Sequence, residues 1–242
     1  MPPGGAWRVM DTNEPILQAE NLQRRFTTAD ATVHVLRGLT LSVSSGQMIA
    51  VTGASGVGKS TLLHILGGLD HPTEGTVRLA GIDLHTQSET QLARFRNRRV
   101  GFVFQFHYLM RDFNALENTM MPLLVGGATR AEASTKAERI MDLVGLTDRQ
   151  SHRPTELSGG EQQRVAVARA LANDPEIVLA DEPSGNLDTE TGRRLHDLLF
   201  HLNRDKGITF LIATHNRELA EGCDTELTIA DGRLRPSGKD IG

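Results

Sequence analysis

Residues 53–61 are Gly53-Ala54-Ser55-Gly56-Val57-Gly58-Lys59-Ser60-Thr61, and they directly follow the short apolar run Met48–Thr52. The stretch fits the pattern G-x-x-x-x-G-K-[ST] and leads into an apolar, helix-like segment. Its glycines let successive backbone N–H groups turn inward around phosphate oxygens, and the helix N-terminus adds a positive partial charge. Lys59 can reach the β- and γ-phosphates of a nucleotide, and the Ser60 hydroxyl can bind Mg²⁺. We therefore predict that the whole stretch is a nucleotide-binding loop.

Strand-like and helix-like stretches alternate on both sides of this loop. Short continuous apolar runs at 48–52, 177–180 and 208–213 are typical of strands that are buried on both faces. A helix is predicted where apolar residues recur at helical spacing, namely at Leu195, Leu198, Leu199 and Leu202. The helix after the loop is expected to carry Leu62, Leu63, Ile65, Leu66 and Leu69. The alternation predicts an α/β fold with a mostly parallel sheet wrapped by helices.

Two segments depart from this alternation. From Ile16 to Gly46 the pattern is β-like, and the last hairpin is expected to turn at 230–232. From Gln105 onward the pattern is helical, with one apolar face and a C-cap glycine at Ala137, Ile140, Met141, Val144 and Gly145. We predict an N-terminal tail at 1–15, one large domain at 16–235 with a helical insertion at about 106–173, and a C-terminal tail at 236–242.

The composition excludes several classes of protein. The 242 residues carry a formal net charge of −4, which argues against electrostatic binding of nucleic acid. The one cysteine, Cys223, excludes an internal disulfide and fits a reducing compartment. No apolar run approaches the about 18 residues that span a bilayer, and the start of the chain lacks a signal-peptide apolar stretch. We expect a cytoplasmic protein that reaches a membrane only through another chain.

Acidic and histidine side chains follow two of the buried strands. Asp181 and Glu182 come after the run at 177–180, and His215 follows the run at 208–213. The carboxyl ends of parallel strands are where an α/β sheet presents its ligands. Asp181 can hold Mg²⁺, Glu182 can polarise a water for in-line attack on a γ-phosphate, and His215 can donate to that phosphate. The alternatives are a helix-capping turn for the two acids and a structural role for the histidine.

A second helix start has the shape of an anion site. Leu157-Ser158-Gly159-Gly160-Glu161 combines an N-cap serine with two glycines, and Ser158 and Glu161 fit a capping box. The sequence could therefore be only a well-capped helix. Capping does not require two glycines, however, and they cost helix stability unless the backbone must come close to another group.

These residues together resemble the ATP-binding subunits of ABC transporters, over the chain from Ile16 to about Arg235. The Leu157–Glu161 stretch is identical to the LSGGE signature of that family, Gln105 matches its Q-loop glutamine and His215 its H-loop histidine. The stretch Pro183–Asp188 resembles the D-loop. The resemblance implies a P-loop NTPase (RecA-like) core with an N-terminal antiparallel β subdomain and an α-helical insertion, and it implies an ATPase that drives transport.

The resemblance also implies a head-to-tail homodimer that forms when ATP binds. Each ATP would lie between the 53–61 loop of one subunit and Ser158, Gly159 and Gly160 of the other, and Asp188 would cross to the opposite subunit. It implies that Glu182 is the base, that His215 holds the γ-phosphate, and that Gln105 senses Mg²⁺. Phe26 stands where most members have an adenine-stacking tyrosine, and it can stack without donating a hydrogen bond.

Within the family, the Gln105–Asn118 segment is similar to the segment by which the ATPases of lipoprotein-releasing systems dock onto their membrane subunits. Arg111 and Asn114 depart from its usual Pro and Thr. The similarity implies two transmembrane permease subunits that dock near this segment, at the cytoplasmic face of a bacterial inner membrane. The alternatives within the branch are a macrolide-type exporter and a cell-division or envelope mechanotransmission complex. A DNA-repair or translation ATPase is disfavoured, because the chain has no coiled-coil heptads and only one cassette.

Overall fold

The computed structural model describes residues 15–27 and 31–237, and the predicted tails lie outside them except for Pro15, Pro236 and Ser237. The strands are β1 (Leu17–Thr27), β2 (Thr32–Val43), β3 (Met48–Thr52), β4 (Glu74–Leu79), β5 (Ile82–Asp83), β6 (Val100–Phe104), β7 (Ile177–Asp181), β8 (Phe210–Ala213), β9 (Thr225–Ala230) and β10 (Arg233–Pro236). The α-helices are α1 (Lys59–Leu66), α2 (Glu89–Arg99), α3 (Ala115–Val125), α4 (Arg130–Leu143), α5 (Gly159–Leu171), α6 (Thr189–Lys206) and α7 (Arg217–Glu221). Short 3₁₀ helices lie at Leu84–Thr86, Thr147–Arg149 and Pro154–Glu156.

The strands form two sheets. The larger sheet has the order β10-β9-β3-β8-β7-β6, and every neighbouring pair in it is parallel except β10 with β9. The smaller sheet has the order β2-β1-β4-β5 and is antiparallel throughout. The predicted fold class is therefore confirmed, both in its mostly parallel sheet and in its N-terminal antiparallel subdomain. The carboxyl ends of β3, β8, β7 and β6 lie side by side at one edge of the larger sheet.

The central strands divide the hydrophobic core into two layers. Successive side chains of a strand point to opposite faces of its sheet. Met48 and Ala50 of β3 accordingly pack in one cluster with the helical insertion, whereas Ile49 and Val51 pack in the other with α1 and the antiparallel sheet. Because both faces are covered, these strands are continuous apolar runs without polar alternation. Burial on both faces therefore explains why these strands can be predicted from their apolar runs.

Three local features differ from the sequence-based expectations. The helix after the loop ends at Leu66, because Gly67 caps it and Gly68 adopts a φ of 68°, so the prediction that Leu69 lies on this helix was wrong. Leu69 is 46% exposed. Helix α2 was not predicted, since only Leu92 and Phe95 of it are buried and its apolar pattern is too sparse. Helix α7 was missed because it has only five residues.

The helical insertion lies between β6 and β7 and contains α3, α4 and α5, which pack on one another. Its predicted limits of about 106 and 173 remain a prediction. Cys223 is buried, and burial raises the pKa of its thiol to about 12, so the thiol stays protonated at neutral pH. Among the residues that the structure describes, no helix has the length and apolar character needed to cross a membrane.

Candidate nucleotide-binding site

The 53–61 loop connects β3 to α1, and its shape depends on glycine. Gly58 has a φ of 111° and immediately precedes the helix, and Gly53 has a φ of 144°. A Cβ on Gly53 would lie 2.8 Å from the Ile229 carbonyl oxygen, and one on Gly58 would lie 2.7 Å from Val35 Cγ1. Any other residue at either position would clash as well as strain the backbone. The loop is thus held close to β2 and β9.

Lys59 is buried inside this loop. Its ammonium group donates to the carbonyl oxygens of Gly53 and Ala54, at 2.9 and 3.2 Å. Its Nζ also lies 3.9 Å from Glu182 Oε1, so the loop and the acidic end of β7 face each other. A positive charge is therefore fixed at the centre of the loop, where phosphate oxygens can pair with it.

A cleft of about 640 Å³ opens beside the loop. It brings together most of the predicted site residues, namely Gly53, Ala54, Ser55, Gly56, Gly58, Lys59, Ser60, Thr61, Gln105, Asp181, Glu182 and His215. Val57 instead packs against the hydrophobic core. Within 15–27 and 31–237, the lining leaves out the remaining predicted residues, Phe26, Ser158, Gly159, Gly160 and Asp188. Val35 also lines the cleft, although no sequence pattern predicts it.

Glu182 is held firmly at the end of β7. Its backbone adopts a φ of 47°, a region that is costly for a residue with a side chain, and its N–H donates to the Ala213 carbonyl at 2.8 Å. Its Oε1 lies 2.9 Å from His215 Nδ1. Its Oε2 accepts from the His215 N–H at 3.2 Å and from the Thr214 hydroxyl at 3.3 Å. The carboxylate can accept a proton from a water that lies between it and the loop.

Three oxygen-bearing side chains at the cleft suit a hard cation. Ser60, Asp181 and Gln105 all line it, and they offer a hydroxyl, a carboxylate and an amide oxygen. Mg²⁺ binds through one or two such groups together with phosphate oxygens. In the described part of the chain, His, Cys, Asp and Glu residues form no cluster of three or more that could cage a metal ion. The donor set therefore fits Mg²⁺ that is bound jointly with nucleotide phosphates.

The turn after Glu182 is tied to the end of β6. Gln105 Nε2 donates to Asn186 Oδ1 at 3.0 Å, and Asn186 Nδ2 donates to the Gln105 carbonyl at 3.0 Å. Asp188 ends the turn as the N-cap of α6 and accepts from the Thr191 N–H at 3.0 Å. This hydrogen bond and one from the Thr191 hydroxyl lower the pKa of Asp188. The reciprocal pair with Asn186 could not be predicted, since β6 and the turn are brought together only by the sheet order.

The signature residues begin α5, and the predicted capping box is confirmed. Ser158 accepts from the Glu161 N–H at 3.3 Å, and Glu161 accepts from the Ser158 N–H at 2.8 Å. The backbone bond from Ser158 and a bond from Arg149 lower the pKa of Glu161 to about 2, so the box stays ionised at neutral pH. A Cβ on Gly160 would lie 2.3 Å from Thr191 Cγ2, so packing within the same chain is enough to require a glycine at this position. A Cβ on Gly159 would meet only Leu187 Cδ2, at 3.5 Å.

Phe26 lies at the outer end of the β1–β2 hairpin, opposite Val33. Opposed residues in an antiparallel pair share a face, as do residues two apart in one strand. Val35, which lines the cleft, lies two residues from Val33, at a register shift between β1 and β2. The Arg24 guanidinium lies 4.5 Å from the centroid of the Phe26 ring. Phe26 is 42% exposed and is not among the described residues that line the cleft.

The Gln105–Asn118 segment exposes aromatic side chains on a rigid frame. Phe106 and Tyr108 are 61% and 67% exposed. The buried Asn118 amide donates to the carbonyls of Met110, Phe113 and Asn114 at 3.1, 3.0 and 2.9 Å, and its oxygen accepts from the Met110 N–H at 2.8 Å. One side chain thus fixes the loop that precedes α3.

Helix α5 holds the other half of this segment. Gln163 is fully buried, donates to the Phe104 carbonyl at 3.1 Å and contacts His107 Nδ1. Arg169 donates to the carbonyls of His107 and Tyr108, both at 2.7 Å. Burial lowers the pKa of Arg169. Every residue has a backbone carbonyl, so a side chain that donates to one has no recognisable partner in the sequence. The roles of Gln163 and Arg169 were therefore not predicted.

A second cavity of about 450 Å³ lies between this segment, α2 and α3. Tyr108, Leu69 and Val125 are among its lining residues, and all three are exposed large hydrophobic side chains. Exposed apolar side chains that line one groove are typical of an interaction surface.

Comparison with known proteins agrees with this site. The family model described as ABC transporter matches residues 36–185. A lipoprotein-releasing system ATP-binding protein LolD from Syntrophus aciditrophicus (strain SB) is 53% identical over 219 residues, which cover 90% of this chain and 98% of the relative. The LolD protein of Geobacter metallireducens is 48% identical and covers 90% and 97%.

Solved structures give the same result. The ATP-binding cassette MJ0796, determined as a dimer in a post-hydrolysis state bound to ADP and Pi, is 34% identical with a TM-score of 0.84. The alignment covers 93% of this chain and 99% of that one. A further dimeric structure of MJ0796 is 35% identical with the same TM-score and coverage. The chain belongs to the ABC transporter family, in which it is an ATP-binding subunit that hydrolyses ATP to drive transport.

Proposed function

We propose that this chain powers the release of lipoproteins from the bacterial inner membrane toward the outer membrane. The observation that carries the proposal is that three relatives named for the lipoprotein-releasing system are 46–53% identical over 90–93% of this chain and 97–99% of their own length. We place the subunit at the cytoplasmic face of the inner membrane, where it is held by two transmembrane permease subunits.

The cleft supports the following roles for its side chains. Lys59 pairs with the β- and γ-phosphate oxygens of ATP, and the glycine-rich loop donates its N–H groups to them. Glu182 accepts a proton from the attacking water, and His215, which contacts Glu182, holds the γ-phosphate. Ser60, Asp181 and Gln105 hold Mg²⁺, which neutralises part of the phosphate charge when it is bound.

The second half of each site comes from a second copy of the chain. Ser158, Gly159 and Gly160 do not line the cleft of their own chain, as far as the described residues show, and Gly159 has no close neighbour that requires a glycine. Both MJ0796 structures are dimeric. We infer that ATP joins the 53–61 loop of one subunit to Ser158, Gly159 and Gly160 of its twin. Asp188 crosses the same interface, and Phe26 stacks on the adenine.

The permease subunits dock on the Gln105–Asn118 segment. Its exposed Tyr108 lines the second cavity, and the segment is held by Asn118 from one side and by Arg169 from the other. A preformed surface of this kind loses little conformational entropy when a partner binds. The segment is also continuous with Gln105 at the cleft, so a bound partner lies next to the Mg²⁺ ligands.

Depletion of this subunit in the bacterium that encodes it tests the proposed function. We expect outer-membrane lipoproteins to accumulate in the inner membrane, as seen by fractionation and immunoblotting, and a wild-type copy to restore their release. A copy with Glu182→Gln serves as the matched control and should not restore it. Normal delivery of lipoproteins in fully depleted cells would reject the proposal, even if drug export or cell division failed.

Replacing Phe106 with Ala should separate ATP hydrolysis from coupling to the membrane. Phe106 is 61% exposed and is not among the residues that line the cleft, so the ATPase rate of the isolated subunit should stay within about twofold. Loss of one buried aromatic anchor at an interface typically costs more than about 2 kcal/mol, so stimulation by the copurified permease should fall more than about tenfold.

The matched control is Ile82→Ala, an exposed apolar residue on β5 that lies on the other sheet. Both rates are measured by steady-state phosphate release, without and with the permease in detergent or nanodiscs. Equal loss of permease stimulation in both variants, or loss of activity in the isolated Phe106 variant, would contradict the docking assignment.

A further inference from the structure

A buried histidine lies under the turn that follows the proposed catalytic base. His196 is on the inner face of α6 and is 3% exposed, next to Leu195 and three residues before the buried Leu199. Its Nε2 lies 2.8 Å from the Ser184 hydroxyl oxygen. Its Nδ1 is buried, and none of the described residues offers it a hydrogen-bond partner. A polar ring in an apolar stripe, with one nitrogen bonded, indicates a specific task for that bond.

The bond is made to the second residue after Glu182. The turn is closed by the Gly185 N–H on the Glu182 carbonyl at 3.0 Å and by the Leu187 N–H on the Ser184 carbonyl at 3.1 Å. Glu182 itself has a φ of 47°, so the start of the turn is strained and needs side-chain support. Two side chains of this turn are anchored to α6: Ser184 contacts His196, and Asp188 accepts from the Thr191 N–H.

The charge of the ring decides whether this buried arrangement is stable. In the neutral ring with its proton on Nε2, the Nε2–H donates to the Ser184 hydroxyl oxygen and Nδ1 carries no proton. Protonation adds an N–H on Nδ1, where none of the described residues accepts it, and burial lowers the pKa of His196 below its ordinary value. The Nε2–H bond itself survives protonation, so the turn is released when the charged ring leaves its packing to bring Nδ1–H to water.

The neighbouring charges oppose this shift without reversing it. Asp197 on the same helix and Glu218 on α7 both raise the pKa of His196, but less than burial lowers it. Glu218 is paired with Arg193 of α6 at 3.0 Å. The turn contributes the carboxylates of Glu182 and Asp188 at its two ends.

We propose that His196, in its neutral form, is a positioning residue that holds Ser184 and thereby the turn from Glu182 to Asp188, and that its protonation in acid releases this turn and slows ATP cleavage. The inference rests on the proposed role of Glu182. It makes the motor sensitive to acidification through a group that is not among the described residues lining the cleft. Binding of ATP, which depends on the 53–61 loop, should not change.

The test compares His196→Gln, whose neutral amide can still bond to Ser184, with His196→Leu, which cannot. The kcat and KM for ATP are measured on the full-length subunit from pH 8 to pH 5.5. We expect the wild-type kcat to fall on the acid side with an unchanged KM, and the Gln variant to lose most of this fall while keeping its rate at pH 7.5. The Leu variant should lose about fivefold in kcat at pH 7.5, the effect of one buried hydrogen bond, and its difference from the wild type should narrow as the pH falls.

Stability provides a second readout. Because the pKa of His196 is lower in the folded chain than in the unfolded one, the free energy of unfolding should decline as the pH falls below about 6.5. The midpoint of thermal unfolding between pH 7.5 and 5.5 should therefore drop more for the wild type than for His196→Gln. The control is His201→Gln, the same change on the same helix at a half-exposed position, which should behave as the wild type.

An acid limb of kcat that is identical in the wild type and in His196→Gln would overturn the inference, as would a change confined to KM in His196→Leu. If Glu182→Gln has lost turnover in the same assay, such a result rejects only the role of His196. If Glu182→Gln still turns over, the proposed base itself is wrong, whatever the His196 variants do.

Discussion

Glu182→Gln is expected to lower ATP turnover about 10²- to 10⁴-fold, the range in which a general base contributes to catalysis. The amide keeps the size of the side chain and can still bond to His215 and Thr214, but it cannot take a proton from water. ATP binding should remain within a few-fold of the wild type, since Lys59 and the glycine-rich loop are untouched. The uncleaved ATP should then hold two subunits together as a stable dimer.

Two measurements check this expectation. Steady-state phosphate release gives the turnover, and size-exclusion chromatography with and without Mg-ATP gives the oligomeric state. Glu190→Gln is the matched control, since Glu190 is an exposed carboxylate on α6 that is paired with Arg194. Retained turnover in the Glu182 variant would remove it as the base, and a monomer in the presence of ATP would argue against the sandwiched dimer.

The second prediction distinguishes the role of Lys59, in the loop of one subunit, from that of Ser158, in the signature of the other. Lys59→Ala should weaken ATP binding about 10- to 100-fold, as expected for the loss of a charged hydrogen-bonding partner worth about 1.5–3 kcal/mol. Ser158→Arg should leave ATP binding to the monomer unchanged, because Ser158 is not part of the cleft lining among the described residues. It should nevertheless abolish both the ATP-dependent dimer and turnover, since the arginine would occupy the place of the twin's γ-phosphate.

Nucleotide affinity is measured with a fluorescent ATP analogue. Dimer formation is measured by size-exclusion chromatography on variants that also carry Glu182→Gln. Ser158→Arg also removes a helix cap, so Thr129→Arg is the control, because Thr129 closes the same kind of capping box on α4. If the monomeric Ser158 variant bound ATP more weakly than the wild type, the signature would contribute to the ATP site of its own chain. If it still formed the ATP-dependent dimer, Ser158 would lie away from the interface.

The sequence predicts those parts of the fold in which a single local cause, such as burial or a positive φ angle, requires a particular type of residue. The strand at 48–52 is continuously apolar because both of its faces are buried, and the glycines at 53 and 58 are required by positive φ angles and close neighbours. The capping box of Ser158 with Glu161 is equally local. Such signals are complete within a few residues and do not depend on the rest of the chain.

The parts that escaped prediction depend on contacts between distant segments. Gln105 pairs with Asn186 because β6 and β7 are neighbours in the sheet, and Arg169 bonds to the carbonyls of 107 and 108, which any residue could supply. The two glycines of the signature have different structural reasons. Gly160 is explained by the side chain of Thr191 in its own chain, which leaves Gly159 as the better evidence for an outside ligand.

Helix α5 is attached at both ends to different parts of the machine. Its first residue, Gly159, follows the signature serine, and Arg169 grips the exposed aromatic segment ten residues later, about 15 Å along the axis. A helix of this length moves as a rigid body, so a displacement of one end also displaces the other. In the proposed dimer, we expect a permease that tilts the aromatic segment to move the signature relative to the nucleotide of the opposite subunit as well, so that permease movement and closing of the ATP site are coupled through α5.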